Sequence, residues 1–390
     1  MPDLYQQAQE WFDYSQAIRR DLHRHPEMGF QEVRTAGIIA KELRDLGLEV
    51  TTGVAKTGVV AMIEGASAGP TILVRVDMDA LPIQEETGQE YASTQPGVMH
   101  ACGHDGHVAV GLTVARLLLK HRAELRGQVK LVFQPAEEGL GGAERMIAEG
   151  VLEDPKPVQS LALHIWNEKP VGWVGVVPGP LMAGGEVFNI RLMGKGGHGA
   201  LPHLAVDPIA AAAQVISGLQ NIVSRNVSPL QSAVISVTMV HGGDAFNVIP
   251  QKVELRGTIR TFEPQVRELV LGRFREVVGQ IAGAMGCQTE IDLVRLTPPV
   301  INDPQIAERI ATRVRTALPQ ANLVTDFRTM VSEDMAFMME KVPGCYLMIG
   351  GANPALGLDF PHHHPKFDFD ETALNWASAT LSAAVLELLR

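Results

Sequence analysis

Apolar residues recur at helical spacing over positions 33–46 and stop at Gly47, which predicts an amphipathic helix closed by a glycine. Short β-rich apolar runs follow at 59–63 and 71–76. A helical stretch comes next at about 106–121, then a strand at 128–133, a helix around 143–149 and a strand at 161–164. Strands separated by helices predict an α/β layer with helices on both faces of the sheet.

The pattern changes near Gly184. Residues 186–192 read as a strand, and Asp207-Pro208 reads as an N-cap with proline at the first helical position. Behind it, Ile209, Ala212, Ile216, Leu219 and Val223 mark one helical face. Ala233, Ile235, Val237 and Met239 alternate with Val234, Ser236 and Thr238, as a half-buried strand should. A strand at 253–261, a long helix at 265–285 and a strand at 289–294 complete the set. This β-α-β-β-α-β order predicts a small ferredoxin-like α+β domain at 184–295. It interrupts a first domain made of 1–183 and 296–390, where α/β patterning resumes at Pro304.

A length of 390 residues suits about two domains, and 46% apolar with 20% charged residues is ordinary for a packed enzyme. The formal charge of −11, with no basic run, argues against nucleic acid as a partner. Positions 1–14 carry Asp3, Glu10 and Asp13 and lack the basic and apolar regions of a signal peptide. Apolar stretches such as 112–119 are too short to span a bilayer, so no membrane is expected. Three cysteines (Cys102, Cys287 and Cys345) make no disulfide framework, and a cytoplasmic location is expected.

The chemistry-bearing residues then stand out. Cys102 and His104 lie two apart in HACGHDGH at 100–107, and on an extended or turning backbone they project to one side. Glu137 and Glu138 end an apolar strand in FQPAEEG at 133–139, so one carboxylate can hold a metal while its neighbour faces water. His164 ends the run LALH, three histidines fill PHHHP at 361–365, and Asp77 and Asp79 end the strand from Thr71. Each has an ordinary reading by itself: a structural thiol, a solvated carboxylate pair, a satisfied core histidine, a surface histidine cluster. All of them fall at the carboxyl ends of expected strands or in the following loops, and that coincidence points to a metal site. A cysteine hydrolase with Cys102 as nucleophile and His104 as base is the enzymatic rival, but it leaves the glutamate pair, His164 and His363 without a task.

Taken together, VDMDALP at 76–82, HACGHDGH, FQPAEEG, GKGGHGALPH at 194–203, NVIP at 247–250 and HHP at 363–365 resemble the M20 metallopeptidases. The closest resemblance is to the amidohydrolase branch of hippurate hydrolases, aminoacylases and auxin-conjugate hydrolases. It covers essentially the whole chain. The resemblance implies a zinc-exopeptidase-like catalytic domain, with a mixed sheet flanked by helices, and an inserted lid that also forms a homodimer. It implies metal-dependent hydrolysis of small N-acyl amino acids to a carboxylic acid and an amino acid. A dipeptidase or carboxypeptidase of the same mechanism is the alternative, and a non-catalytic binding protein on the same fold a further one.

By position, the resemblance makes Cys102, His104, Glu138, His164 and His363 ligands of two divalent ions, with Zn, Mn, Co and Ni all compatible with the mixed donors. Glu137 becomes the general base, and Asp79 the carboxylate that orients a ligand. His198 would stabilise the oxyanion from the partner subunit, while Asn247 and Arg260 would hold the substrate carboxylate. Three departures remain. Asp77 stands where the wider family has a metal histidine, His362 and His364 flank His363, and Val331 and Met335 surround an otherwise familiar Ser332-Glu333-Asp334.

Overall fold

A computed structural model describes residues 3–390. The chain divides into two compact units. The first takes the chain up to Leu181 together with Ile301–Phe327 and Asp334–Arg390, and the second takes Met182–Val300 and Arg328–Glu333.

The first unit is built on an eight-stranded mixed sheet. Its order is Glu49–Val54, Gly58–Glu64, Arg126–Gln134, Ser67–Asp77, Gln159–Pro170, Gly344–Ala352, Trp173–Gly175 and Asn322–Val324. The third to sixth strands of that order run parallel, and the Glu49–Val54 and Gly58–Glu64 hairpin adds antiparallel strands at one edge. Val74, Leu131, Leu161 and Leu347 are fully buried. Parallel strands covered on both faces read as continuous apolar runs, which is why the sequence pattern here shows runs and not alternation.

Two helices pack closely on this sheet. His104–Lys120 is buried along nearly its whole length, and Gly111 lets it approach: a Cβ there would meet the Phe133 ring at 2.9 Å. The helix begins at His104, two residues before the expected start, so His104 occupies its first position. Ala373–Leu388 packs alongside it and is buried on all sides.

The helix Phe12–Arg24 is tied to the start of His104–Lys120 by buried charge. Arg19 is fully buried and donates to Asp105 (2.9 Å), Asp368 (2.6 Å) and Glu371 (3.2 Å). His23 faces Asp105 through Nδ1 (2.7 Å) and Glu85 through Nε2 (3.3 Å). Burial and Arg19 oppose a charged imidazole, but Asp105 and Glu85 outweigh them and lift His23 to about 9.

The second unit is a four-stranded antiparallel sheet in the order Ala233–His241, Lys252–Thr261, Gly184–Met193, Gln288–Thr297. This is the ferredoxin-like arrangement. Helices Pro208–Arg225 and Pro264–Ala284 close its core over Phe188, Ile190, Leu255 and Phe274. Asp207 caps the first helix by accepting from the N–H groups of Ile209 (2.8 Å) and Ala210 (3.3 Å).

Two local expectations hold only in part in this unit. The buried helical face includes Ala211, Ala212, Val215, Leu219 and Ile222, with Ile216 and Val223 packed against it, and only Ile209 of the expected face is exposed. Alternation in Ala233–His241 stops at a register shift between Val237 and Met239, so Met239 faces solvent. Val240, on the opposite face, is exposed as well, so the strand beyond the shift is uncovered on both faces.

The His23 tie has a pH signature. A folded pKa of about 9 against about 6.5 in the unfolded chain gives stability that is complete below pH ~6.5 and lost as pH rises through 9. The loss is on the order of 3 kcal/mol. Urea unfolding across that window should show a falling curve that His23→Gln flattens. Parallel curves for the two proteins would show that His23 is not charged in the fold.

Candidate metal centre

Parallel pairing of Ser67–Asp77 with Arg126–Gln134 sets Asp77 opposite Gln134. The chain therefore leaves both strands at one level, placing Asp79 beside the turn that carries Glu137 and Glu138. On the other side, pairing of Ser67–Asp77 with Gln159–Pro170 ends at Arg75 opposite Ala162. His164 does not end its strand, which continues to Pro170 against Gly344–Ala352. It nevertheless stands on the carboxyl rim of the shorter neighbour, where open α/β sheets gather functional groups.

The turn after Gln134 is held from several sides. Ala136 has φ +56°, a left-handed conformation uncommon for a residue with a side chain. The buried Glu32 fixes it by accepting from the Ala136 N–H (2.9 Å) and the Thr57 hydroxyl (2.6 Å). The Glu138 N–H donates to Asp79 Oδ2 at 3.1 Å. Gly142 closes the turn, since a Cβ there would lie 1.7 Å from the Pro135 carbonyl oxygen.

Cys102 and His104 converge on a turning backbone, one of the two geometries expected. Gly103 between them has φ +86°, and His104 opens the helix. His104 Nδ1 lies 3.0 Å from the Asp79 carbonyl and 3.3 Å from its Oδ1, so that nitrogen carries the proton. Its Nε2 is buried and has no hydrogen-bond partner. His164 Nδ1 donates to the Ile165 carbonyl at 2.7 Å, and its Nε2 pairs with Cys102 Sγ at 3.5 Å. Each imidazole thus turns Nε2 inward, with Nδ1 fixed by an oxygen acceptor, as metal-bound histidines are fixed.

His363 resolves from its neighbours. It takes φ +65°, and its Nε2 lies 3.2 Å from Glu138 Oε1. His362 instead faces the Ile165 carbonyl at 3.0 Å and stacks on Trp166, while His364 stacks on Phe360. Donor atoms of Cys102, His104 and His164 lie within 4.8 Å of one another, as do those of Cys102, Glu138 and His363, and those of His104, Glu137 and Glu138. Cys102, His104 and Glu138 are each shared between two groups, so the cluster is continuous.

The electrostatics ask for positive charge. Burial, then Glu138, Glu137 and Asp77, push the Cys102 thiol well above its usual range. Burial opposes protonation of His104, but Asp77 and Asp79 raise it to about 10. A nucleophilic cysteine needs electropositive surroundings, so this environment argues against the cysteine-hydrolase reading. Divalent cations at this point would supply the missing charge and let the thiol ionise. The unpartnered His104 Nε2, the His164 nitrogen beside the buried thiol and the carboxylates together fit such ions.

A supporting layer lies behind the cluster. His107 Nδ1 donates to Asp77 Oδ1 (2.5 Å), and its Nε2 accepts from the Ile165 N–H (2.9 Å). Asp77, placed where a metal histidine was expected, also accepts from Arg75 at 2.7 Å and serves these bonds. Its Oδ1 is 3.8 Å from His104 Nε2. Arg75, His107, Gln134, Asp334 and Glu32 were given no role from sequence. Arg75 was detectable as a lone charge inside the apolar run 71–76; Glu32 carries no comparable signal.

The remaining site residues belong to the second unit. His198 pairs with Val248 across a short two-stranded ladder, and the Gly199 N–H donates to the Asn247 carbonyl at 2.8 Å, so these two residues are neighbours. Both are exposed. Arg260 is half-buried on the four-stranded sheet and donates to the Ser332 hydroxyl, with Gly185 leaving room for its guanidinium. Burial lowers its pKa, and no carboxylate offsets that.

The chain belongs to peptidase family M20/M25/M40, whose family model matches residues 73–387. It is 43% identical over 380 residues to an N-acetylcysteine deacetylase of Bacillus subtilis, covering 96% of this chain and 97% of that protein. It is 37% identical to thermostable carboxypeptidase 1 of Saccharolobus solfataricus, covering 95% and 94%. A Bacillus subtilis crystal structure described as a dinuclear metal binding peptidase of the M20 family superposes with a TM-score of 0.86. That pair shares 38% identity, over 98% of this chain and 99% of the other.

The donor set makes one spectroscopic expectation. Protein loaded with Co(II) should show a thiolate-to-cobalt charge-transfer band in the near ultraviolet. Cys102→Ser should abolish it, whereas Cys287→Ser and Cys345→Ser should leave it intact. A band that survives Cys102→Ser would remove the thiol from the centre.

Proposed function

We propose that this protein is a divalent-metal amidohydrolase that cleaves the linear amide of small N-acyl amino acids, releasing a carboxylic acid and an amino acid. The observation that carries this reading is the continuous cluster of Cys102, His104, Glu138, His164 and His363 with Glu137 at its edge. The deacetylase relative supports the acyl-amino-acid substrate class. The carboxypeptidase relative favours one second reading, a peptide with a free carboxyl terminus cut by the same groups. Both substrate classes share an amide beside a carboxylate.

Cys102, His104, Glu138, His164 and His363 would hold two ions, drawn from Zn, Mn, Co or Ni. When bound, the ions supply Lewis acidity toward the scissile carbonyl and the attacking water. Glu137 takes the proton of that water and returns it to the departing amine, which is a poor leaving group without it. Asp79 holds the His104 ring through its Nδ1–H and the turn through the Glu138 N–H. In the second unit, Arg260 and Asn247 bind the substrate carboxylate, the arginine through its planar fork. His198 donates to the developing oxyanion from the partner of a homodimer.

No helix among the described residues is long and apolar enough to cross a membrane. Three unpaired buried cysteines support a reducing compartment, and we place the enzyme in the cytoplasm on that ground.

The roles within the glutamate pair separate cleanly. Glu137→Gln should keep its metal while turnover of N-acetyl amino acids falls by about 10²–10⁴-fold or more, because one residue serves both proton transfers. Glu138→Gln should lose one equivalent of metal in elemental analysis. Equal metal loss in the two variants would reverse or merge the assignments.

The dimer has its own test. His198→Ala and Glu137→Gln should each be nearly inactive, and mixing them with subunit exchange should restore part of the activity, since one site then keeps both wild-type groups. No recovery after confirmed exchange would place His198 outside the partner's site.

A further inference from the structure

We propose that Asp334, clamped by Arg75 and Gln134, is the positioning residue that sets the orientation of the Glu137 carboxylate; this rests on Glu137 being the general base. The Asp334 N–H faces Glu137 Oε1 at 3.3 Å. That is at the long end for an N–H···O contact. It turns the carboxylate without capturing its charge in a short bond.

For so long a contact to orient anything, its donor must itself be immobile, and the surroundings provide that. Asp334 is 3% exposed. Its Oδ1 accepts from Arg75 Nη2 (3.1 Å) and Gln134 Nε2 (2.7 Å), and its Oδ2 accepts from the Ala143 N–H (2.9 Å). Arg75, fully buried, also donates through Nε to Gln134 Oε1 (2.9 Å) and through Nη1 to Asp77 Oδ2 (2.7 Å). Gln134 ends the strand that leads into Glu137, and Ala143 opens the helix that follows the turn. Asp334 therefore fastens both ends of the segment that carries Glu137, while its own N–H meets that residue's side chain.

A buried arginine with two carboxylates is a poor means of gaining stability, since well-packed apolar groups serve at least as well in such places. What an apolar replacement cannot supply is geometry. Arginine's planar fork fixes the angles between Asp77, Gln134 and Asp334 in one plane of donors. The same fork thus ties the Asp77–His107 pair behind the metal cluster to the support of the base. Asp334 touches no reacting atom. It acts through Glu137.

The test uses metal-loaded enzyme and an N-acetyl amino acid, with metal stoichiometry and thermal unfolding recorded beside kinetics. Asp334→Asn should lower kcat by about 10- to 100-fold, as misplacement of a catalytic group does, with KM within about twofold and full metal content. Arg75→Lys keeps the charge and loses the fork, and should give the same split. The deciding measurement is a double-mutant cycle. In a Glu137→Gln background, Asp334→Asn should cause no further loss, because the group it orients is already gone. Should the Asp334 variant not fold, Gln134→Met carries the same cycle, with a smaller single-mutant effect expected. Losses that multiply in the double mutant, or metal loss that accounts for the slower turnover, would overturn the inference. Near-wild-type turnover of Glu137→Gln alone would instead overturn the base assignment beneath it.

Discussion

Parallel registration of Ser67–Asp77 on Arg126–Gln134 is the constraint from which the site follows. With Asp77 opposite Gln134, two strands release the chain side by side, and Asp79 comes within hydrogen-bonding reach of the Glu138 N–H. A shift of one residue would send Asp77 and Asp79 to the far face of the sheet, because side chains alternate along a strand. Pairing on both edges, to Arg126–Gln134 and to Gln159–Pro170, makes such a slip costly. Gly111 lets the His104 helix sit close against this sheet, and Gly103 turns Cys102 and His104 into the same space.

Burial then concentrates charge that the protein alone does not balance. Asp77, Asp79, His104 and Cys102 are all buried, and Glu137 and Glu138 are largely so. Arg75 answers Asp77 on the side away from the cluster, at 2.7 Å. On the cluster side the carboxylates raise both the thiol and the His104 ring. An isolated buried charge is expensive, so groups in such a place are either neutralised or supplied with a counter-charge. Paired carboxylates beside a thiol and two inward-facing imidazole nitrogens receive that counter-charge most economically from divalent ions.

Much of this was legible in the sequence because the chemistry is local there. Cys102 and His104, Glu137 and Glu138, and Asp77 and Asp79 are each within two positions of one another, so spacing alone brings them together. The alternating middle segment predicted its ferredoxin-like order for a similar reason: each element had its own period. What escaped notice depends on distant partners. Asp334 meets Arg75 across 259 positions, and Glu32 meets Ala136 across 104. His164 was read as a strand end, since pairing with Gly344–Ala352, which extends the strand to Pro170, has no local mark. The bulge after Val237 likewise leaves no trace in an apolar alternation that continues to Met239. Arg75 is the instructive miss. A charge within a strand buried on both faces demands partners, and only Asp77, two positions on, is near it in sequence.

The division of the chain into two units gives the proposed chemistry a natural separation. Every group assigned to metal or proton transfer lies in the first unit, on strand ends and a helix start that the sheet holds rigid. The groups assigned to the substrate's carboxylate and oxyanion lie in the second. Arg260 there is half-buried with a hydroxyl as its partner, and burial weakens its hold on the proton. A guanidinium in that condition gains more from a carboxylate than one already paired, because the desolvation cost is already met.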